Sequence, residues 1–366
     1  MSRKSLKNSK RIVIKLGTNT LTNKDGSLDL KYLQSIASQV SELKKQGKDI
    51  IIVTSGAIGS GCSELGIKEK LRDINMRQVA AAVGQSSLIE SYKKIFSKYN
   101  LKVAQILLTY EAFSNRKIYL NLRNSINTLL KLDIIPVINE NDPISPHEIA
   151  TTFGDNDKLS VLVASKMEAD LLVMLTDVDG LYDKNPQNNK DAKLIKTVDK
   201  IDSKIERIAG QTKSLRGLGG MRTKIDAAKV AMNSGCGMVI VNGRIKNVLV
   251  NLIKGKDIGT IFISENKLSN KQRWILYAKS EGKIIVDAGA KKALLNKKSL
   301  LASGIKNIEG NFKSKDIVEI NDFAKGLSNY SSRDLKKIKG KKSDQIKKIL
   351  KKDAKEVILR EDMVFS

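Results

Sequence analysis

Apolar segments alternating with amphipathic ones are the feature that most restricts the fold of this 366-residue chain. Short runs of Ile, Val and Leu predict buried strands at 12–16, 49–53, 103–108, 134–138, 171–175, 238–241 and 259–263. Between them, helical spacing of apolar residues predicts helices from Asp29 to Gly47 and at 76–96, 116–130, 157–167 and 222–233. This alternation predicts an α/β fold: an open, mostly parallel sheet sandwiched by helices.

The predicted strands are followed by residues suited to ligand contact. Gly17 follows the first strand, Ser55-Gly56 the second, Asn139-Glu140-Asn141-Asp142 the fourth and Thr176-Asp177 the fifth. Ligands of parallel sheets bind beyond the carboxyl ends of the strands, so these segments predict one active-site edge. Pro136 lies within the fourth strand and predicts irregular pairing there.

Composition excludes several classes of protein. The sequence holds one histidine, His147, and two distant cysteines, Cys62 and Cys236. These numbers argue against a histidine base and exclude a Cys/His metal cluster, and free thiols favour a cytoplasmic protein. No apolar run approaches the roughly 20 residues that a bilayer requires, so no membrane association is expected.

The pattern weakens after about residue 265, which predicts a second domain. We expect a first domain at 1–265, a linker at 266–279 and a small β-rich domain with one or two helices at 280–361. The formal net charge is +27, and residues 271–366 carry 24 lysines and arginines against 12 acidic residues. A basic excess is typical of nucleic-acid binding, but the general abundance of Lys, Asn and Ile favours a compositional origin for most of it.

Two glycine–lysine segments point to phosphate chemistry. Lys15-Leu16-Gly17-Thr18 ends the first strand, and Gly219-Gly220-Met221-Arg222-Thr223-Lys224 precedes a helix. Glycines free backbone N–H groups for a phosphate and the lysines add positive charge, although each segment alone also suits an ordinary turn. The sequence has no G-x-x-x-x-G-K-[ST] motif and no G-x-G-x-x-G after the first strand, so it predicts a kinase outside the P-loop class.

Each of the remaining polar segments, taken alone, has a simpler structural interpretation. Thr54-Ser55-Gly56-Ala57 suits close approach of a ligand, but Ser55 could equally cap a helix. The acid–amide runs 139–142 and 154–157 are typical of solvated turns. Asp177 and Asp179 lack the spacing of a calcium-binding loop. Their joint occurrence at strand ends is what favours a substrate site.

Taken together, these segments resemble the amino acid kinase family, and within it the members that phosphorylate the side-chain carboxylate of glutamate. The basic tail resembles a PUA domain. The resemblance covers nearly the whole chain and runs through Val13–Thr18, Thr54–Ile58, Ala80–Gln85, Pro136–Asp142, Gly154–Asp157, Leu175–Asp177 and Gly219–Lys224.

The resemblance implies a role for each matching residue. Lys15 and Lys224 would contact the transferring phosphoryl group from opposite sides, and Asp157 would hold these lysines, which makes the three the predicted catalytic residues. The residues that would bind glutamate are Ser55, Asp142 and Asn156. Those that would bind ATP are Lys15, Thr176, Asp177, Leu218, Gly219, Gly220, Met221, Arg222, Thr223 and Lys224. Leu218 departs from the family, which usually has Thr there, so one hydroxyl contact to nucleotide is lost.

The chemistry of this reaction fits the composition. A side-chain carboxylate has a pKa of about 4.3 and is already an anionic nucleophile at neutral pH, so no general base is needed. Two lysines, with Mg²⁺ bridging the ATP phosphates, would offset the repulsion between two anions. Mg²⁺ retains several waters and binds phosphate oxygens, so no protein metal site is expected.

The resemblance carries further expectations and leaves alternatives open. It implies a homo-oligomer, feedback inhibition by proline and a place at the first step of proline synthesis. One alternative is another family member that acts on aspartate, acetylglutamate, carbamate or UMP. Another is an additional RNA-binding role for the tail, because PUA domains bind RNA in RNA-modifying enzymes; the competing reading gives the tail a structural or regulatory role.

Overall fold

A computed structural model of the chain describes residues 2–23, 25–69, 71–145, 156–210, 220–264, 269–351 and 353–365. These residues divide into two compact units. The first comprises residues 1–112 and 116–267, and the second comprises residues 113–115 and 268–366.

The first unit is built around an eight-stranded sheet with the spatial order β3-β4-β2-β1-β5-β7-β8-β6. Its strands are β1 (Arg11–Leu16), β2 (Asp49–Val53), β3 (Lys102–Leu108), β4 (Ile134–Glu140), β5 (Leu171–Thr176), β6 (Thr197–Val198), β7 (Gly237–Asn242) and β8 (Thr260–Phe262). Neighbouring strands from β3 through β7 are parallel, and β8 pairs with β7 in antiparallel orientation. The predicted mostly parallel sheet is therefore confirmed.

Helices connect these strands. In chain order they are α1 (Thr18–Leu21), α2 (Leu30–Lys45), α3 (Ala57–Glu64), α4 (Ile74–Ser97), α5 (Glu111–Ser114), α6 (Arg116–Lys131), α7 (Asp157–Lys166), α8 (Ser203–Gly210), α9 (Met221–Asn233) and α10 (Val248–Ile253). The α2 boundaries follow the sequence signals. Asp29 accepts a hydrogen bond from the Tyr32 N–H at 2.9 Å, and Gly47 beyond the last turn has φ +73°.

The core explains why the central strands read as continuous apolar runs. Every residue of β5 is buried, and all of β1 except Arg11 is buried. One face of the sheet packs against apolar residues of α2 and α4, among them Leu33, Ile36, Tyr92 and Phe96. Strands buried on both faces show little polar–apolar alternation, and the carboxyl ends of β1, β2, β4, β5 and β7 share one edge.

Pro136 interrupts the sheet less than its lack of an N–H group suggests. On the β3 side, the register is continuous from Lys102–Ile134 to Leu108–Glu140 and includes Ala104 opposite Pro136. On the β2 side, β4 pairs only after Pro136, through Ile52–Val137 and Val53–Ile138. The irregularity is therefore confined to one side of the strand.

The second unit contains a five-stranded sheet with the order β10-β9-β11-β12-β13. Its elements are α11 (Asn270–Tyr277), β9 (Gly282–Val286), α12 (Ala288–Leu295), β10 (Ile305–Gly310), β11 (Ile317–Ile320), β12 (Ala324–Leu327), α13 (Ser332–Ile338), α14 (Ser343–Leu350) and β13 (Met363–Phe365). The expected β-rich character is confirmed, but the expectation of one or two helices is wrong, because four lie between residues 269 and 351.

Most of the segment expected to be a linker, 266–279, is also structured. Residues 270–277 form α11, whose first turn carries a capping box between Ser269 and Gln272. Ile275 is fully buried in a small cluster with Ile317, Leu327 and Val364. The helix therefore belongs to the second unit, because its apolar face is covered by the strands of that unit.

Candidate active site

A buried ion cluster forms the centre of the candidate site. Lys15 is the next-to-last residue of β1, Asp157 begins α7 and Lys224 lies in the first turn of α9. Asp157 Oδ1 lies 2.8 Å from Lys15 Nζ, and Asp157 Oδ2 lies 3.2 Å from Lys224 Nζ. Thr223 Oγ1 is 3.1 Å from Asp157 Oδ2. The structure thus brings together the three residues predicted to be catalytic.

Electrostatics keep this cluster charged. Burial by itself would raise the pKa of Asp157, but the neighbouring ammonium groups of Lys15 and Lys224 outweigh it and lower that pKa below its usual value. Since Asp157 balances only one of the two positive charges, an anion between the lysines would be attracted to the cluster.

Gly17 allows the end of β1 to approach the neighbouring strand β5. Its N–H donates to the Leu175 carbonyl oxygen at 3.1 Å, which connects the ends of β1 and β5. A Cβ at this position would lie 3.1 Å from that oxygen and 3.6 Å from Lys15 Nζ. A side chain would therefore occupy the space beside the lysine ammonium group.

On one side of the cluster, the ends of β2 and β4 meet at Asn156. Its Nδ2 lies 2.6 Å from the Thr54 carbonyl oxygen, 3.1 Å from Ser55 Oγ and 2.9 Å from Asn139 Oδ1. Ser55 is not a helix cap, because Gly56 occupies the N-cap position of α3. Asn156 directly precedes Asp157, so a single turn holds in place both the hydrogen bonds of Asn156 and the Lys15–Asp157–Lys224 cluster.

Asp142 lies at the next strand end, after β4. Burial, followed by the nearby Glu140 carboxylate, raises the pKa of Asp142 to about 7, while Arg77 opposes the shift. Glu140 is buried and accepts a hydrogen bond from Ser145, and its carbonyl oxygen accepts one from Gln85 Nε2 at 3.1 Å. Two close carboxylates in a buried setting favour binding of a cation.

On the other side of the cluster, Thr176 ends β5 and Asp177 follows it. Asp177 Oδ1 accepts a hydrogen bond from Thr176 Oγ1 at 3.1 Å, and its Oδ2 accepts one from Asn19 Nδ2 at 2.9 Å. Burial acts to raise the pKa of Asp177, but the Asn19 and Thr176 hydrogen bonds lower it overall. Gly220 caps α9, and Met221, Arg222 and Thr223 form its first turn. Leu218 and Gly219 lie outside the described residues.

Four residues of the site could not be identified individually from the sequence. Asn19 and Glu140 lie within or beside segments that it singled out, but nothing in the sequence assigned them partners. Tyr92 lies 38 residues from Thr54 in the sequence and shares a 2.8 Å hydrogen bond with Thr54 Oγ1. Arg77 was not distinguished from the many other basic residues. Only the folded arrangement identifies these four.

Among the described residues, no group of three or more His, Cys, Asp or Glu side chains could hold a metal ion. In the same part of the chain, no helix combines the length and apolarity needed to cross a bilayer.

Comparison with known proteins gives two family matches and close full-length relatives. The amino acid kinase family model matches residues 10–242, and the PUA domain model matches residues 282–350. A glutamate 5-kinase from Methanosarcina acetivorans is 51% identical over 352 residues, 93% of this chain and 91% of the relative. One from Caldanaerobacter subterraneus subsp. tengcongensis is 47% identical and one from Pelobacter propionicus 41%, over 97% and 99% of both chains, respectively.

Proposed function

The chain belongs to the amino acid kinase family, and on that premise we propose that it is a glutamate 5-kinase. It transfers the γ-phosphoryl group of ATP to the side-chain carboxylate of L-glutamate and forms L-glutamyl 5-phosphate, the first step of proline synthesis. The observation that carries the proposal is the position of the Lys15–Asp157–Lys224 cluster. At one edge of the sheet, this cluster has Ser55, Asn156 and Asp142 on one side and the Thr176–Asp177 segment on the other.

The reaction needs alignment and charge stabilisation more than proton transfer. An oxygen of the glutamate side-chain carboxylate attacks the γ-phosphorus, and the bond to the β–γ bridging oxygen breaks with its electron pair leaving on ADP. No proton moves, because the nucleophile is already ionised. Lys15 and Lys224 stabilise the negative charge on the transferring group from opposite sides.

Asp157 and Asn156 fix the geometry of this transfer. Asp157 keeps the two ammonium groups in place through contacts of 2.8 and 3.2 Å. Asn156 and Ser55 hold the substrate on the carboxylate side, with Asp142 receiving its ammonium group. Thr176, Asp177 and the 218–224 segment hold ATP, which enters as its Mg²⁺ complex, so the protein need not supply a metal site.

The direct test is formation of acyl phosphate trapped as hydroxamate in the presence of ATP and Mg²⁺. We expect product with L-glutamate and at most a trace with aspartate or acetylglutamate, and for carbamate and UMP, where ADP release is measured instead, we expect at most a trace of turnover. A folded protein that gives no glutamate-dependent product would refute the proposal. Preference for another acceptor would assign the chain to a different branch of the family.

The same proposal extends to partners. By resemblance to the family, we expect a cytoplasmic homo-oligomer and inhibition by proline in the hydroxamate assay, and RNA binding by the PUA domain is an alternative additional role. Light scattering measures the mass, and an inhibition curve measures the proline effect. RNA binding by the full chain should weaken steeply with salt if the lysines of the second unit contact phosphates.

A further inference from the structure

L-Glutamate brings three charged groups to the site, and the interactions above account for two. The side-chain carboxylate faces the lysine cluster, and the α-ammonium group suits Asp142 beside Glu140. The α-carboxylate has no cation assigned to it. Lys15 and Lys224 are already held by Asp157. The site therefore calls for a further positive group near Asp142.

The face of α4 that begins with Arg77 borders both substrate segments. Arg77, Ala81, Gly84 and Gln85 share this face at helical spacing. A Cβ at Gly84 would lie 1.9 Å from the Ala57 carbonyl oxygen, so this face touches the turn after Ser55. Gln85 donates to the Glu140 carbonyl oxygen at 3.1 Å, so the same face also holds the end of β4.

Arg77 is the cation that this face presents towards Asp142. It lies in the second turn of α4, is half-buried and acts electrostatically on Asp142. Among the described residues, no carboxylate lies within ion-pair distance of the Arg77 guanidinium group. By contrast, Arg11, Arg222 and Arg244 each pair with a carboxylate. A half-buried guanidinium near a carboxylate pair, without a partner of its own, suits a bidentate contact with a carboxylate ligand.

We propose that Arg77 binds the α-carboxylate of the substrate amino acid and selects substrates in which that group is free. The inference rests on the proposed function, since it assumes an α-amino acid acceptor. Arg77 and Asp142 together bind the zwitterionic end of the substrate. Arg77 supplies a cation for its carboxylate, and Asp142 supplies an anion for its ammonium group. The lysine cluster then acts on the opposite end.

The test compares L-glutamate with L-isoglutamine, its α-amide, which keeps the side-chain carboxylate but loses the α-carboxylate charge. We expect wild type to favour glutamate in kcat/KM by about 100-fold, because the amide leaves the guanidinium without its anion. Arg77→Gln should lower kcat/KM for glutamate by a similar factor and reduce the preference to within about threefold. Arg77→Lys, a point charge without the planar fork, should retain an intermediate preference.

Controls separate substrate recognition from structural damage and from failure of the proposed function. Arg72→Gln, an exposed neutralisation just before α4, should leave the preference unchanged. The KM for ATP should change less than about twofold in Arg77→Gln, since the nucleotide segments do not involve α4. If Arg77→Gln fails to fold, the Arg77→Lys preference decides, and a full wild-type preference there overturns the bidentate role.

A wild-type enzyme active on glutamate whose Arg77→Gln variant keeps the full preference would refute the role of Arg77 alone. Equal wild-type use of glutamate and isoglutamine would do the same. No glutamate turnover in wild type would instead refute the function on which the inference depends.

Discussion

Asp157 is the residue on which the buried charges of the site depend. It is fully buried, and each of its carboxylate oxygens contacts one lysine ammonium group. A buried ion cluster contributes little net stability when complete, but loss of one member leaves an uncompensated charge. The effect on stability therefore depends on which of the three cluster residues is removed.

Lys224→Ala should lose most of its turnover while the protein stays folded. Asp157 keeps Lys15 and the Thr223 hydroxyl, but the transferring phosphoryl group loses one of its two cations. We expect kcat to fall about 100- to 1000-fold. Lys229→Ala on the same helix, which removes a lysine paired with Glu206, should keep near-normal turnover. Near-normal turnover in Lys224→Ala would remove this lysine from the mechanism.

Asp157→Ala should be less stable than Lys224→Ala. It removes the carboxylate that contacts both buried ammonium groups, at a cost of about 3–5 kcal/mol. Thermal melting of the two variants in the same buffer measures the difference. A melting temperature for Asp157→Ala above that of Lys224→Ala would contradict this account of the cluster.

Asp142 gives the site a pH dependence near neutrality. Its pKa is raised to about 7, and in the proposed mechanism the substrate ammonium group binds the ionised form. We expect KM for glutamate to rise as pH falls below 7, approaching tenfold per pH unit, while KM for ATP stays nearly constant. A glutamate KM that is flat between pH 5.5 and 8 would contradict the assignment.

The same shift has a consequence for stability. Because the folded-state pKa of Asp142 lies above the unfolded value of about 3.9, stability is greatest at low pH and is lost as pH rises towards and through 7. Asp142→Asn removes this penalty. Its advantage over wild type in free energy of unfolding should grow by about 1 kcal/mol between pH 6 and pH 8. Denaturation at the two pH values measures it.

At the scale of elements, α4 supports the substrate segments from below. Tyr92 is completely buried, and its hydroxyl lies 2.8 Å from Thr54 Oγ1, while the Thr54 carbonyl oxygen accepts from Asn156. The helix therefore positions the turn that carries Ser55, although Tyr92 itself does not reach the substrate.

Tyr92→Phe should weaken glutamate binding with little effect on ATP. The ring keeps its packing, but Thr54 loses a hydrogen-bond partner, which costs about 1 kcal/mol, or about a fivefold rise in KM for glutamate. Tyr99→Phe, beyond the end of the same helix, serves as the control. An unchanged KM for glutamate in folded Tyr92→Phe would show that the hydroxyl does not position the turn.

Every strand of the first unit except the two-residue β6 could be predicted from the sequence, because the apolar runs are continuous and polar residues follow at once. Helix α3 could not, since its segment Ala57–Glu64 contains two glycines that disfavour helix. The structure gives the reason for one of them. A Cβ at Gly61 would lie 1.7 Å from the Ala80 carbonyl oxygen, so tertiary packing against α4 requires glycine there.

At the scale of the whole molecule, the motifs predicted which residues share a site because parallel strands place their carboxyl ends together. They could not predict hydrogen-bond partners such as Asn19 with Asp177, which depend on side-chain direction in a loop. Of the helices in the second unit, only one or two were expected. Ser343–Leu350 is one example: Ile346, Ile349 and Leu350 do share one helical face, but the segment is only eight residues long and lies in a lysine-rich region.

The division into two units leads to a prediction about the first domain alone. The described site residues, from Lys15 to Lys224, all belong to the first unit, and that unit has an apolar core formed by its own strands and helices. The second unit has a separate core around Ile284, Val318 and Leu335. We therefore expect residues 1–265 to fold without the second unit and to retain glutamate-dependent turnover within about tenfold of the full chain, since a domain with its own core can fold alone.

Thermal melting and the hydroxamate assay on both proteins provide the test. A truncated protein that melts cooperatively but has lost activity by more than about 100-fold would show that the second unit contributes to catalysis, and one that fails to melt cooperatively would show that the first core is insufficient.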